Sequence, residues 1–231
     1  MEVRNIQVSD SVEGIARVGV LFLRQISNGP VASRLRERMD SLGEELRRSL
    51  AGRTMSEIDA VTLPRKLYHS LGLDPTKDRP SSERLLRRVL RGKALAKINK
   101  LVDAINLVSL RLQCPIGVYD WDAIVPPVLV RIGQPGEGYR GISVDPPSSD
   151  PGSENWVSVQ GKLVVVDGEG PFGSPGHDSS RTKVTLGTVR ALVVAWAPVE
   201  APKSYLENVL REVTEVTDEF CSARVGGSAV L

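Results

Sequence analysis

Cysteine and aromatic residues are both scarce in this chain of 231 residues. The two cysteines, Cys114 and Cys221, lie far apart and outside any metal-ligand spacing, which excludes a disulfide scaffold and indicates a reducing compartment. Aromatic residues make up only 4% of the chain, so the core must consist mainly of aliphatic side chains. The aromatic stacking platform of many single-strand RNA binders is therefore not expected.

Long apolar runs and a strong excess of one charge are also missing. The longest apolar stretches, such as Ala191–Ala197, are far too short to cross a bilayer, and the first residues do not read as a signal peptide. We therefore expect a cytoplasmic protein without membrane contact. The net charge is only +2, so any contact with nucleic acid must come from a local basic patch.

Common catalytic and metal-binding motifs are absent as well. The chain has no nucleophile elbow, no HExxH, no CxxC pair and no phosphate-binding glycine motif. Its two histidines, His69 and His177, are distant in sequence and have no third partner for zinc. We expect no metal and no cofactor, and an enzyme of this kind would position water or substrate rather than form a covalent intermediate.

The predicted elements follow the order strands, helices, strands and one helix, which indicates an α+β fold. Helices are predicted over 33–50, 65–71, 83–91, 97–113 and from Pro202 onward, and Pro146–Gly152 is predicted to be a loop. Residues 1–222 are predicted to form one domain, with a flexible tail at 223–231. Strands are predicted over Val3–Val8, Ile15–Ile26, Ile116–Tyr119, Val128–Ile132, Trp156–Val159, Leu163–Val166, Lys183–Leu186 and Val189–Trp196.

The helix predicted over 97–113 carries a polar stripe. Asn99, Asp103 and Asn106 are spaced so that their side chains share one face, although Asn and Asp are poor helix formers. We interpret the stripe as the wall of a polar pocket. The alternative is that these side chains are satisfied internally and hold a neighbouring loop in place.

The preceding helix has a basic face formed by Arg84, Arg87, Arg88 and Arg91, and Lys93 follows it closely. Such a face can follow a phosphate backbone with salt-sensitive affinity. The alternative is a solvated face with salt bridges to nearby carboxylates.

Two glycine-rich segments are further candidates for a site. The loop Asp167–Thr182 contains His177, Asp178 and Arg181 between two predicted strands, and its glycines allow close approach of a ligand. Glu137 stands between two glycines and points either into a cleft or into water. Both segments also fit plain connecting loops.

Several of these segments together resemble the B-three/four domain of the phenylalanyl-tRNA synthetase beta subunit, and the free-standing versions of that domain most closely. They are RPSSE, Gly92-Lys93, N-x-x-V-D-x-x-N, P-I-G-x-Y-D, Gly136-Glu137 and the run from Asp178 to Thr182. The resemblance covers roughly residues 60 to 200. It implies mixed β-sheets in a sandwich-like arrangement flanked by helices, with a pocket between the Asn-bearing helix and the glycine-rich loop.

In the synthetase this domain is a hydrolytic editing site that removes wrongly attached tyrosine from its tRNA. The resemblance implies a trans-acting deacylase that hydrolyses a mischarged aminoacyl ester, with aminoacylated tRNA as its partner and no aminoacylation activity. Gly117 stands where the synthetase carries a pocket histidine, and Ser174–His177 replaces its Gly-Gly loop. These departures argue against tyrosine specificity and leave open a pocket that binds without cleaving.

The resemblance and the residue chemistry together assign roles in the expected site. His177 is the expected general base, with Asn106 and Asp178 beside it. Glu83, Asn99, Asp103, Glu137 and Arg181 are assigned to the substrate, and Arg84, Arg87, Arg88, Arg91 and Lys93 to RNA. The main alternative is a non-catalytic module that binds RNA or an amino acid, and a small-molecule sensor or hydrolase unrelated to tRNA ranks last.

Overall fold

The computed structural model describes residues 6–142 and 155–231. The predicted loop Pro146–Gly152 and the first residues of the first predicted strand lie outside this part of the chain. The described helices are α1 Ser33–Ser49, α2 Thr62–Ser70, α3 Ser81–Leu90, α4 Lys100–Leu112 and α5 Lys203–Cys221. The described strands are β1 Ile6–Val8, β2 Ala16–Arg24, β3 Ile116–Asp120, β4 Val128–Ile132, β5 Gly138–Arg140, β6 Trp156–Ser158, β7 Leu163–Asp167, β8 Gly170–Gly173, β9 Ala191–Pro198 and β10 Arg224–Val230.

The strands form a central antiparallel sheet and a second, mixed sheet. The central sheet has the order β10-β2-β9-β3. The second sheet has the order β1-β4-β7-β8, in which only β1 and β4 are parallel. A hairpin of β5 and β6 covers part of the outer face of the second sheet through Tyr139 and Val157. The predicted α+β fold with sandwich-like sheets is confirmed.

Strand β9 explains why the central sheet has a core on each of its faces. Leu192, Val194 and Trp196 alternate toward the second sheet, while the intervening small residues face the helices. A strand buried on both faces reads as a continuous apolar run, as β9 does. On the helix side, Gly19 of β2 lies against Leu210 of α5, so a small residue allows close approach of the helix.

Two predicted segments differ from the structure. The strand predicted at Lys183–Leu186 is a turn in which the Thr185 amide donates to the Thr188 hydroxyl, 2.9 Å away. The tail predicted to be flexible at 223–231 contains β10, which pairs antiparallel with β2 along the edge of the central sheet. The tail is ordered because β2 offers a free row of backbone donors and acceptors there.

Candidate active site

A cleft opens where the turn Ser174–His177 meets the end of α2 and the residues that follow it. It encloses about 310 Å³ when the space at its mouth is counted. The residues that line it are Tyr68, Leu71, Leu73, Asp78, Arg79, Lys162, Leu163, Ser174, Pro175, Gly176 and His177. The glycine-rich loop singled out in the sequence therefore does form part of a concave surface.

Hydrogen bonds hold the turn Ser174–His177 in a defined shape. The Ser174 amide donates to the His177 carbonyl at 2.9 Å, and the His177 amide donates to the Ser174 hydroxyl at 3.1 Å. The buried Tyr139 hydroxyl donates to the same His177 carbonyl at 2.6 Å, and the Ser81 amide at the start of α3 donates to the Pro175 carbonyl. The scaffold thus positions His177 at the rim of the cleft.

His177 is held as a neutral imidazole. The Arg84 guanidinium lies 2.7 Å from His177 Nε2 and also donates to the Gly176 carbonyl. Because arginine carries only donors, Nε2 must accept, which leaves the ring proton on Nδ1. The pKa of His177 is lowered to about 4, because the surrounding protein removes hydration from the imidazolium and because Arg84 and Lys162 repel it; Asp78 opposes this only in part. The side chain nevertheless keeps access to solvent.

Asp178, the next residue, has an unusual carboxyl group. Burial raises its pKa to about 7, although contact with the Tyr119 hydroxyl and the charge of Arg84 both act to lower it. By strict geometry the Tyr119 hydroxyl has no hydrogen-bond partner within the described residues, so we regard its contact with Asp178 as a loose one. Asp178 does not line the cleft itself, but the charge of Arg84 reaches both it and His177.

The Tyr119 hydroxyl fills a narrow space between the two sheets, which the sequence did not reveal. A Cβ atom on Gly117 would lie 2.0 Å from this oxygen, and one on Gly173 would lie 2.1 Å from it. Gly117 and Tyr119 share a face of β3 because side chains alternate along a strand. Tyr119 also packs edge-on against Phe172, with ring centroids 5.0 Å apart. Tyr119 therefore occupies the place that a side chain at position 117 would need.

The polar stripe on α4 faces the protein interior and not this cleft. Asn99 caps the helix, its side chain accepting from the Val102 amide at 2.9 Å. Asp103 is fully buried and accepts from the Ile98 amide at 3.3 Å, and burial raises its pKa to about 6. Asn106 is half-buried and is not among the residues that line the cleft. For Asn99 and Asp103 the internal alternative holds.

The other residues assigned to the substrate form internal ion pairs. Glu83 is fully buried and accepts from Arg65 and Arg87; burial alone would raise its pKa, but these hydrogen bonds outweigh that effect and lower it. Glu137 accepts from Arg131 at 2.6 and 2.7 Å, and this arginine lowers the pKa of the carboxyl. Arg181 binds Asp167 at 2.8 and 3.0 Å. Their charges serve the scaffold.

The predicted basic face of α3 is divided between several uses. Arg84 belongs to the cleft, Arg87 binds Glu83, and Arg88 donates to the Ala94 carbonyl at 2.7 Å. Arg91 and Lys93 are exposed. Cationic groups also surround the mouth of the cleft, where Arg79 and Lys162 join Arg84.

Two further findings apply to the described residues. No group of three His, Cys, Asp or Glu residues is arranged to hold a metal ion. No helix in these ranges is long and apolar enough to cross a membrane.

Comparison with known proteins gives one structural relative and one family. An N-terminal fragment of the phenylalanyl-tRNA synthetase beta subunit from Pyrococcus horikoshii shares 11% sequence identity with this chain, at a TM-score of 0.48. The comparison covers 95% of this chain and 49% of that fragment, so the chain spans about half of the fragment's length. No curated protein matches the chain. The model of the B3/4 domain matches residues 64–204, which is more than half of the sequence, and the chain therefore belongs to the B3/4 domain family.

Proposed function

We propose that this protein is a trans-acting deacylase that hydrolyses the ester of a mischarged aminoacyl-tRNA. One observation carries the proposal: a neutral imidazole, His177, and a carboxyl group of raised pKa, Asp178, lie side by side at a cleft with a cationic mouth. Membership of the B3/4 family supports the substrate class, because the related domain belongs to a tRNA synthetase. The cationic mouth suits the phosphates at the end of an RNA chain.

Ester hydrolysis requires a base for the attacking water and a donor for the developing oxyanion. Asp178, with a pKa of about 7, is partly ionised at neutral pH and is the stronger candidate for the base. His177, assigned as the base from sequence, is a weak base at a pKa of about 4 but a good donor through Nδ1–H. Water attacks the carbonyl carbon, the ester C–O bond breaks, and the ribose hydroxyl leaves with a proton.

The test is deacylation of a panel of correctly and wrongly charged tRNAs. We expect selective hydrolysis by the intact protein and a loss of at least roughly tenfold in Asp178→Asn and His177→Gln, within the range typical of acid–base residues. His69→Gln is the matched control, because His69 is exposed on α2 and does not line the cleft. Asn106→Ala should also keep its activity. Wild-type rates in both loop variants would refute the assignment.

A non-catalytic binding module is the second candidate, and the Tyr119 hydroxyl favours it. This hydroxyl fills the space beside Gly117, and Arg84 occupies the basic nitrogen of His177. The same panel separates the two functions. No hydrolysis of any charged tRNA, together with tRNA affinity that falls steeply with salt and requires Arg91 and Lys93, would establish binding without turnover.

A further inference from the structure

The contact between Arg84 and His177 has the geometry of a latch. The guanidinium binds both Nε2 of the imidazole and the Gly176 carbonyl, so it bridges α3 and the turn Ser174–His177. The lone pair on Nε2 is therefore already used, and an incoming ligand cannot reach it while the contact lasts. Neither partner balances the charge of Arg84, because the imidazole is neutral and the carbonyl is a dipole.

We propose that the mouth of the cleft is a binding site for a phosphate group, and that a phosphate held by Arg79, Arg84 and Lys162 draws the guanidinium away from His177 and frees Nε2. The inference rests on the proposed function only in taking a nucleotide as the source of the phosphate. The site and the release belong to these four side chains and do not require hydrolysis.

The exchange is favourable because a phosphate is a better partner for arginine than a neutral imidazole is. Guanidinium and phosphate form charge-assisted, often bidentate hydrogen bonds that are roughly twice as strong as neutral ones. Arg79 adds a second guanidinium: it is exposed, and no carboxylate of the described residues lies within ion-pair distance of it. Lys162 lines the same mouth and is paired with Asp78, which an anion would displace only in part.

The latch also sets the protonation of His177. The charged groups that face the ring are Arg84 on α3, Lys162 just before β7 and Asp78 in the segment after α2. Two of the three are cations, and both disfavour the imidazolium. When a phosphate withdraws Arg84 and adds negative charge, both changes favour the imidazolium, so the pKa of His177 must rise from about 4 toward the ordinary value for histidine.

The chain has only two histidines, so a proton NMR titration can follow His177 directly. His177→Gln assigns its signals, and the exposed His69 serves as an internal control. We expect inorganic phosphate and adenosine 5′-monophosphate to raise the pKa of His177 by roughly one unit or more, with no change at His69. Adenosine, which lacks the phosphate, should have no effect.

Two variants separate a latch from a merely structural contact. Arg84→Met should raise the pKa of His177 without any anion and should reduce the response to phosphate. Arg88→Met, on the same helix but bound to the Ala94 carbonyl, should behave like the intact protein. A pKa of His177 that ignores both anions, or that stays near 4 in Arg84→Met, would overturn the latch.

The adenosine arm also identifies the chemistry that is recognised. A response to both phosphate compounds assigns the site to the phosphate group, and a response to adenosine alone would refute an anion site. The outcome is independent of the deacylation panel. A phosphate-driven rise in a protein that hydrolyses nothing would uphold the latch and reject the deacylase, whereas hydrolysis without the rise would do the reverse.

Discussion

Gly117 is defined by what its neighbour needs. The hydroxyl of Tyr119 stands where a Cβ at position 117 would be, only 2.0 Å away, and Tyr119 is fully buried against Phe172. The residue thus has a packing reason that the resemblance alone did not provide. A family histidine at this place and the Tyr119 ring in its present position exclude each other.

Gly117→Ala is therefore expected to lower the free energy of unfolding by about 1–3 kcal/mol through overpacking. Equilibrium unfolding in urea measures the loss. Gly187→Ala is the control, because the nearest atom to its Cβ, the Thr185 hydroxyl oxygen, is 3.9 Å away. Equal stability of both variants would show that Tyr119 moves aside freely.

Asp178 predicts a pH dependence of stability. Its pKa is raised to about 7 in the fold, from 3.8, so the folded state holds the proton more tightly than the unfolded state does. The stabilising effect of that proton is present below pH 3.8 and is lost as the pH rises toward 7. Asp178→Asn should flatten the fall in melting temperature over this window.

Melting temperatures between pH 4 and 8 check this expectation. Glu200→Gln removes an exposed carboxyl group elsewhere and should leave the curve unchanged. A curve for Asp178→Asn that runs parallel to that of the intact protein would contradict the raised pKa.

At the scale of elements, the buried Glu83 joins two helices. It accepts from Arg65 on α2 and from Arg87 one turn further along α3, with all contacts between 2.8 and 2.9 Å. These helices deliver Tyr68 and Arg84 to the candidate site, so the clamp supports its geometry. A surface-charge reading of this helix misses the role, because the burial of Glu83 depends on where α2 lies.

Glu83→Gln should cost about 3–5 kcal/mol, because removing one partner of a buried ion pair leaves uncompensated charge. Chemical denaturation gives the value. Glu215→Gln breaks an exposed pair with Arg211 on α5, and there we expect a loss of less than about 0.5 kcal/mol. A similar small loss at Glu83 would mean that Arg65 and Arg87 find water readily.

At the scale of the whole molecule, the central sheet separates a helical core from a sandwich core, and β10 completes one edge of that sheet. Removal of residues 223–231 should weaken hydrogen-exchange protection of the β2 amides that face β10, while those that face β9 remain protected. Amide exchange resolved by residue measures both sets. Unchanged protection along β2 would show that β10 contributes little to the stability of the sheet.

The sequence by itself determined the α+β class, the course of most helices and long strands, and the family. Hydrophobic periodicity, glycine and proline punctuation and a set of local motifs carry that information, because they act over a few neighbouring residues. The strand β9 and the helix α5 were readable in this way. Short strands such as β5 and β8, rich in glycine, have too little local signal.

Only the tertiary structure decided which polar residues meet. The stripe of Asn99 and Asp103 is a helix cap and a buried loop anchor, Glu83 is a clamp, and the tail is a strand. His177 meets Arg84 across 93 positions of sequence. Such pairings depend on burial and on distances between elements far apart in the chain, and no local pattern encodes either quantity.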